Sequence, residues 1–341
     1  IVFLFSFTSF GTVLILGGPR DATIEVEIYR QATALFDLGV AAALAVVQLV
    51  AVTAALAVYG RFQRRRSMPG LLTVASGRRA STPGGRAAVA VTLAGGLAVV
   101  GFPIWYLVRA ALDTAGGFGF TWFARLGSHR DLVVDPAQAI GNSLLYAAVA
   151  LTTTLVVGGL ISIVVSRRES RSVGWFDTLV MLPLGTSAVT LGFGFIIALD
   201  RPFDLRGTWV LVPLAHALVA IPLFTRVVVP VLKSIDPLQR DAAAALGASP
   251  WQVRRLVDFP MARRAVAVGA ALAIAVSLGE FGATAFVARP NAPTIPIAIF
   301  RFLSQPGAVS LGTAAAMSVV LLLVTGAVVA AVDRTGEIGT F

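Results

Sequence analysis

Cysteine is absent from this chain. Without it, neither a disulfide framework nor a thiolate metal site can be built. Histidine is almost absent too, with only His129 and His216. Lysine occurs once, as Lys233, and Leu232 stands where a G-x4-G-K-[ST] phosphate-cradling loop needs glycine. A nucleotide-hydrolysing site of that type is therefore excluded, and any energy for work must come from a partner or from an ion gradient. Charge is scarce as well. Charged residues make up 13% of the chain and hydrophobic residues 57%, with a mean hydropathy of +0.86. That balance excludes a water-soluble globule and indicates an all-α polytopic membrane protein. The 341 residues have room for about seven or eight spans of roughly 20 residues each, plus loops. A net charge of +10 would suggest nucleic acid in a soluble protein. Here the orientation rule for membrane loops accounts for it, and no nucleic-acid partner is expected. The chain opens at Ile1 inside an apolar run, with neither an initiator Met nor a charged leader, so it reads as one whose beginning is missing.

What is present is a succession of apolar runs. Residues 1–16 read as the exit half of a span, and 17–34 as a polar loop. Complete spans are expected at 35–58, 87–110, 138–165, 175–199, 209–232, 264–288 and 309–332. Residues 59–86 are rich in Arg, Gly, Ser and Pro and contain no acid, a composition that cannot pack a core and marks a linker. Residues 333–341 form a short polar tail. When sides alternate, the linker, the 166–174 loop, the 233–263 loop and the tail fall together and collect most of the arginines. The opposite loops balance bases with acids. The positive-inside rule makes the arginine-rich side cytoplasmic.

One cytoplasmic stretch, Asp236–Pro260, reads DPLQRDAAAALGASPWQVRRLVDFP. Asp236 and Pro237 have the residue types of an N-cap and first helical position. The Ala-rich run after Asp241 has high helix propensity, and Gly247 suits the C′ position. Ser249 and Pro250 then repeat the start signal. The expectation is two capped helices meeting at a sharp corner outside the membrane, a rigid docking element.

The chain also repeats itself. Residues 6–30 align without gaps onto 277–301 at a constant offset of 271, pairing Ser6 with Ser277, Phe10 with Phe281, Gly11 with Gly282, Pro19 with Pro290, Thr23 with Thr294, Ile24 with Ile295, Ile28 with Ile299 and Arg30 with Arg301. The identities run through a polar loop, where membrane composition cannot produce them. Residues 1–58 are thus expected to be the last two spans of a first repeat, joined by the 59–86 linker to a complete second repeat over 87–332 in parallel topology, an N-terminally truncated two-repeat chain. Parallel duplication suits a transporter, because two like halves enclose a path.

The segment Asp241-Ala242-Ala243-x3-Gly247-x9-Val257-x-Phe259-Pro260 resembles the EAA loop of type I ABC importer permeases, E-A-A-x3-G-x9-I-x-L-P, with Asp for Glu, Val for Ile and Phe for Leu. The segments 17–30 and 277–286 more specifically resemble the branch that carries thiamine or ferric iron, in which both halves are fused. The resemblance implies the six-helix core of that family's transmembrane domain. It also implies a separate ABC ATPase dimer gripping the loop, an extracytoplasmic solute-binding protein delivering substrate, and no cofactor or catalytic residue in this chain. The location implied is a bacterial or archaeal cell membrane, with the protein among membrane lipids. Asp241, Ala242, Ala243, Gly247, Val257, Phe259 and Pro260 would form the ATPase contact. An ion-gradient-driven secondary transporter is the alternative.

Other residues admit two readings each. Glu280 is the one acid well inside an expected span. A carboxylate there costs about 2.5–3.5 kcal/mol on insertion scales, so it faces the bundle interior or a water-filled cavity. It either lines the path with Ser277, Ser6 and Ser9, favouring a cation, or makes a structural hydrogen bond. His216, between Pro213 and Pro222, is a packing residue or a proton relay. His129 lies in a loop with Asp131 and Asp135, which is thin support for a metal. The 59–86 arginines serve orientation or bind anionic lipid.

Overall fold

The computed structural model describes residues 10–17, 21–66, 82–114, 116–127, 132–167, 170–199 and 207–337. Helices dominate. The first three are α1 (Gly11–Leu16), α2 (Ile24–Thr33) and α3 (Leu38–Arg66). Then come α4 (Pro83–Leu112), α5 (Thr121–Arg125), and α6 (Pro136–Thr153), which passes through a π-turn at Thr154–Gly158 into α7 (Gly159–Arg167). They are followed by α8 (Arg171–Gly185), α9 (Ala188–Ala198), α10 (Leu211–Ser234), α11 (Pro237–Ala245) and α12 (Pro250–Val253). A second π-turn, Arg254–Asp258, leads into α13 (Phe259–Gly279). The last helices are α14 (Gly282–Val287), α15 (Ile295–Leu303) and α16 (Ala308–Glu337). Among the described residues a single hairpin of two-residue strands, Asp113–Thr114 against Gly117–Phe118, interrupts the helical pattern, and Gly117 has φ +103°.

Among the described residues, six helical stretches are long and apolar enough to cross a membrane: Leu38–Ala55, Pro83–Leu112, Pro136–Ser166, Leu211–Ser234, Pro250–Gly279 and Ala308–Val332. Their outer faces are apolar and uncovered. Leu97 and Val99 on α4 are 74% and 76% exposed, as lipid-facing side chains are in a bundle whose solvent is hydrocarbon.

Three boundaries differ from the expected ones. The run read as one span over 175–199 is a broken pair, α8 and α9, bent by 104°. Thr186 and Ser187 make the break: the Ser187 hydroxyl accepts from Val189 N at 3.1 Å and so starts a new helix. The span read as 264–288 begins earlier and stops at Gly279. Glu280 is extended (φ −70°, ψ 117°) and α14 follows as a separate short helix. The first span runs on to Arg66, into the stretch read as linker; the rest of that linker, 67–81, lies outside the described residues, as do Ser6, Ser9, His129 and Asp131.

The two broken elements meet. α9 crosses α14 so closely at Gly192 that a Cβ there would lie 2.8 Å from the Cα and carbonyl oxygen of Ala283. Phe10, Ile28, Ala41 and Ala45 from α1–α3 bury against Val189 and Phe193 of α9. The segment related by the offset of 271 has matching helix limits: Gly11–Leu16 corresponds to Gly282–Val287, and Ile24 and Ile295 both open a helix behind an extended Thr23 or Thr294. The equivalent rings of Phe10 and Phe281 stack on each other at 5.5 Å and 19°. Residues that correspond in the two segments therefore touch.

Candidate functional site

Two sites take shape, an exposed elbow and a buried seam. In the elbow, the Asp236 carboxylate accepts from Leu238 N at 2.9 Å and Pro237 opens α11. At its other end Gly247 has φ +87°, Ala248 N donates to Ala243 O at 3.1 Å and Gly247 N to Ala244 O at 2.9 Å. That pair of bonds is the Schellman closure, which needs the left-handed residue that glycine supplies without a Cβ penalty. Ser249 then starts α12 with a full capping box: Ser249 N donates to Gln252 Oε1 at 2.7 Å and Gln252 N to Ser249 Oγ at 3.3 Å.

The second helix of the elbow is not a separate piece. It runs through the Arg254–Asp258 π-turn into α13, so the elbow is the end of a span. Arg240 locks the first helix to both neighbours. Its Nε donates to the buried Asp258 carboxylate at 2.7 Å, and its Nη2 donates to Leu232 O at the end of α10 at 2.9 Å. Asp241 and Ala242 are exposed, Ala243 and Val257 half-buried, and Phe259 and Pro260 exposed. Leu238 and Leu246 are 71% and 90% exposed beyond the candidate spans, and Trp251, at the start of one, is 67% exposed. Reading the residues alone overlooked Arg240 and Gln252. The S-x-x-Q spacing was a legible signal for Gln252, whereas the reach of Arg240 to Asp258 was not.

The seam lies at the break after α13. Glu280 is buried, and its carboxylate accepts from Ala283 N at 2.9 Å, taking up an amide at the start of α14 that no helical carbonyl can reach. His216, buried on α10, spans the break: Nδ1 lies 2.8 Å from Ser277 Oγ and Nε2 lies 2.8 Å from Thr284 Oγ1. Thr284 gives its own proton to Glu280 O at 3.0 Å. A neutral imidazole protonated at Nε2 then satisfies every group: Nε2–H donates to Thr284, and Nδ1 accepts from Ser277. His216 is therefore a structural staple, in line with the packing reading, but through hydrogen bonds rather than apolar contact.

Glu25 on α2 reaches the same region. It is 1% exposed, accepts from Gln48 Nε2 at 2.8 Å, and shares a hydrogen bond with Ser187 at the α8–α9 break. Thr190 of α9 donates to Gln48 Oε1 at 3.3 Å. Burial pushes the Glu25 carboxyl above its ordinary range, its hydrogen bonds to Ser187 and Gln48 oppose this, and the charge of nearby Glu280 adds to it. Aromatic rings on the same segments pair with each other: Tyr29 meets Phe286 edge-on at 5.4 Å, and Phe281 meets Phe300 at 5.4 Å. Ser277 and Glu280 are thus brought together with His216, Thr284 and Glu25, none of which was picked out as a site residue. Gln48, a lone amide within an apolar span, was the available clue. Among the described residues no group of three His, Asp or Glu side chains could hold a metal.

Residues 155–335 match the family described as "Binding-protein-dependent transport system inner membrane component". This chain belongs to that family. It is a type I ABC importer permease and a multi-pass membrane protein. The thiamine transport system permease protein ThiP of Brucella abortus (strain 2308) is 30% identical over 343 residues, covering 98% of this chain and 60% of that protein. The molybdenum transport system permease protein ModB of Haemophilus influenzae is 30% identical over 186 residues, covering 50% of this chain and 81% of that protein. A crystal structure of a bacterial alginate ABC transporter, in complex with a periplasmic protein bound to an alginate pentasaccharide, superposes with a TM-score of 0.61. It covers 74% of this permease and 93% of that chain at 18% identity, a likeness of fold. The permease spans 60% of the length of the thiamine transport relative.

Proposed function

We propose that this permease carries thiamine, delivered by an extracytoplasmic binding protein, across a bacterial cell membrane, driven by a separate ATPase dimer that grips the Asp236–Pro260 elbow. The observation that carries the reading is the elbow itself. It is capped at three points, held by Arg240 to two spans, and continuous with α13. A push on its exposed Asp241–Gly247 face is passed along the 21-residue helix α13 to the break at Glu280, without a flexible joint to absorb it. Asp241 meets polar groups of the ATPase, Ala242 and Ala243 allow close approach, and Phe259 and Pro260 close the contact.

The seam is the proposed gate. Ser277 and Glu280 from one repeat face Glu25 from the other, and Ser6 and Ser9 are their counterparts in the first. Residues 1–58 act as the end of that first repeat and 87–332 as the second; the matching helix limits support this. Two carboxylates, with aromatic rings on the same segments, favour an organic cation over an anion, and relatives that align along nearly the whole chain are thiamine permeases. Ferric iron is the second cargo this chemistry suits.

The test is uptake of labelled thiamine into vesicles carrying the permease with its ATPase and binding protein. Gly247→Asp is expected to abolish both ATPase retention and uptake. Survival of both would remove the docking assignment. Uptake that persists without ATP and stops when the proton gradient is collapsed would make the protein a secondary transporter.

A further inference from the structure

A cavity of about 510 Å³ lies beside the elbow, between α7, α10 and the start of α13. That is the size of a ligand pocket. Leu155, Ile163, Phe224, Val228, Leu232 and Val266 give it apolar walls. Phe224 forms its floor and cannot swing away, because a Cβ on Gly158 or Gly269 would already lie 2.9 or 2.7 Å from its ring. The mouth has a different chemistry. Trp251, 67% exposed, stands there with Arg254 and Arg255. Asp258, the acid of the lining, accepts from Arg240. Arg254 Nε is buried with no hydrogen-bond partner among the described residues. Arg254 is half-buried and Arg255 exposed, so the mouth offers guanidinium donors to an anionic oxygen.

We propose that this groove is a binding site for an anionic phospholipid of the cytoplasmic leaflet. One acyl chain lies along the apolar walls down to Phe224, and the headgroup phosphate sits against Arg254 and Arg255. Three observations select this occupant. The charge pattern of the loops puts the mouth on the cytoplasmic face, where anionic lipid is concentrated. Trp251 sits at the mouth, as an interfacial aromatic does. The groove is apolar within and cationic only at its rim, the pattern of a single-chain amphiphile standing upright in a leaflet. A polar segment of another protein would leave its backbone groups unsatisfied against these walls. Because the lipid touches α7, α10 and the elbow together, its occupancy stiffens the elbow; this consequence rests on the docking reading, whereas the binding itself does not.

The experiment uses the full-length permease in nanodiscs of phosphatidylcholine with or without phosphatidylglycerol. Lipid that stays bound after extraction is counted by native mass spectrometry, and a photo-reactive residue at Leu155 reports what fills the groove. Leu155 lines the groove at 36% exposure, so Leu155→Trp fills it without overpacking the core. Wild type is expected to retain phosphatidylglycerol over phosphatidylcholine by roughly twenty-five-fold, about fivefold for each of two arginines. Arg254→Gln with Arg255→Gln brings that preference close to one at unchanged melting temperature, and Leu155→Trp removes retained lipid of both kinds. A preference that survives both variants, absence of any preference in wild type, or a photo-adduct with protein instead of lipid would overturn the proposal. If lipid binds as proposed while thiamine uptake ignores it, the site stands and only the stiffening of the elbow fails.

Discussion

The elbow and the seam are built from opposite materials. The bonds that cap the elbow's helices join residues no more than five positions apart, Asp236 to Leu238, Ala248 to Ala243 and Ser249 to Gln252, and only Arg240 adds longer ties, to Leu232 and Asp258. The seam depends on partners far apart in the chain, with His216 reaching residues 61 and 68 positions away and Thr190 reaching Gln48 across 142. The elbow's capping residues Asp236, Gly247 and Ser249 are exposed, and there each cap is worth about 1 kcal/mol and the local chain decides. The seam lies among buried groups, where each unpaired polar atom costs about 1–3 kcal/mol and only a complete set of partners is tolerable. An exposed elbow takes its corner mainly from local chemistry, whereas a buried polar seam has to be negotiated among several helices.

The strongest way to break this comparison is His216→Leu. It strands Ser277, while Thr284 keeps its bond to Glu280 O, and a loss of roughly 1–3 kcal/mol is expected. The measurement is the melting temperature in detergent, with ATPase retention on the surviving folded fraction as the second readout. Retention should stay near wild type, since the elbow makes its own bonds; if the elbow fails with the seam, the two regions are not independent.

Ser249→Ala probes the other side with a smaller effect. It removes the capping box and is expected to cost about 1 kcal/mol locally. ATPase retention should fall severalfold while the global melting temperature barely moves. An equal drop in both would mean that the elbow belongs to the cooperative core.

The finest test is electrostatic. Folding raises the Glu25 carboxyl above its ordinary value of 4.5, chiefly by burial. The unfolded chain thus releases this proton at lower pH than the folded one. The stability linked to it is complete below 4.5 and is lost as pH rises through the folded value. Glu25→Gln should flatten that decline, seen as a melting temperature less dependent on pH than in wild type. An unchanged slope would mean that Glu25 is not buried at the seam.

Much of the architecture was legible because apolar length is itself the signal for a span, and because caps and left-handed glycines announce themselves within four or five residues. The repeat was legible down to the helix limits that Gly11 and Gly282 share. The breaks were not. Thr186–Ser187 and Gly279–Glu280 sit in continuous apolar runs, and only the crossing of α9 over α14 at Gly192 makes it favourable to end a helix there. Glu280 showed itself as an anomaly, but whether it lined a space or capped a helix depended on what stood three residues ahead and on the far side of the bundle.

Composition and local pattern therefore determined a multi-span helical permease with a preformed elbow and an internal repeat. These follow from hydrogen bonds and apolar spacing that the chain satisfies within one or two helical turns. The tertiary structure alone decided that two spans break, that His216 staples one break, and that Glu25 and Glu280 are buried close to each other. A buried polar group is tolerated only where its partners arrive from other helices, and no neighbouring residue in the sequence records which helix that will be.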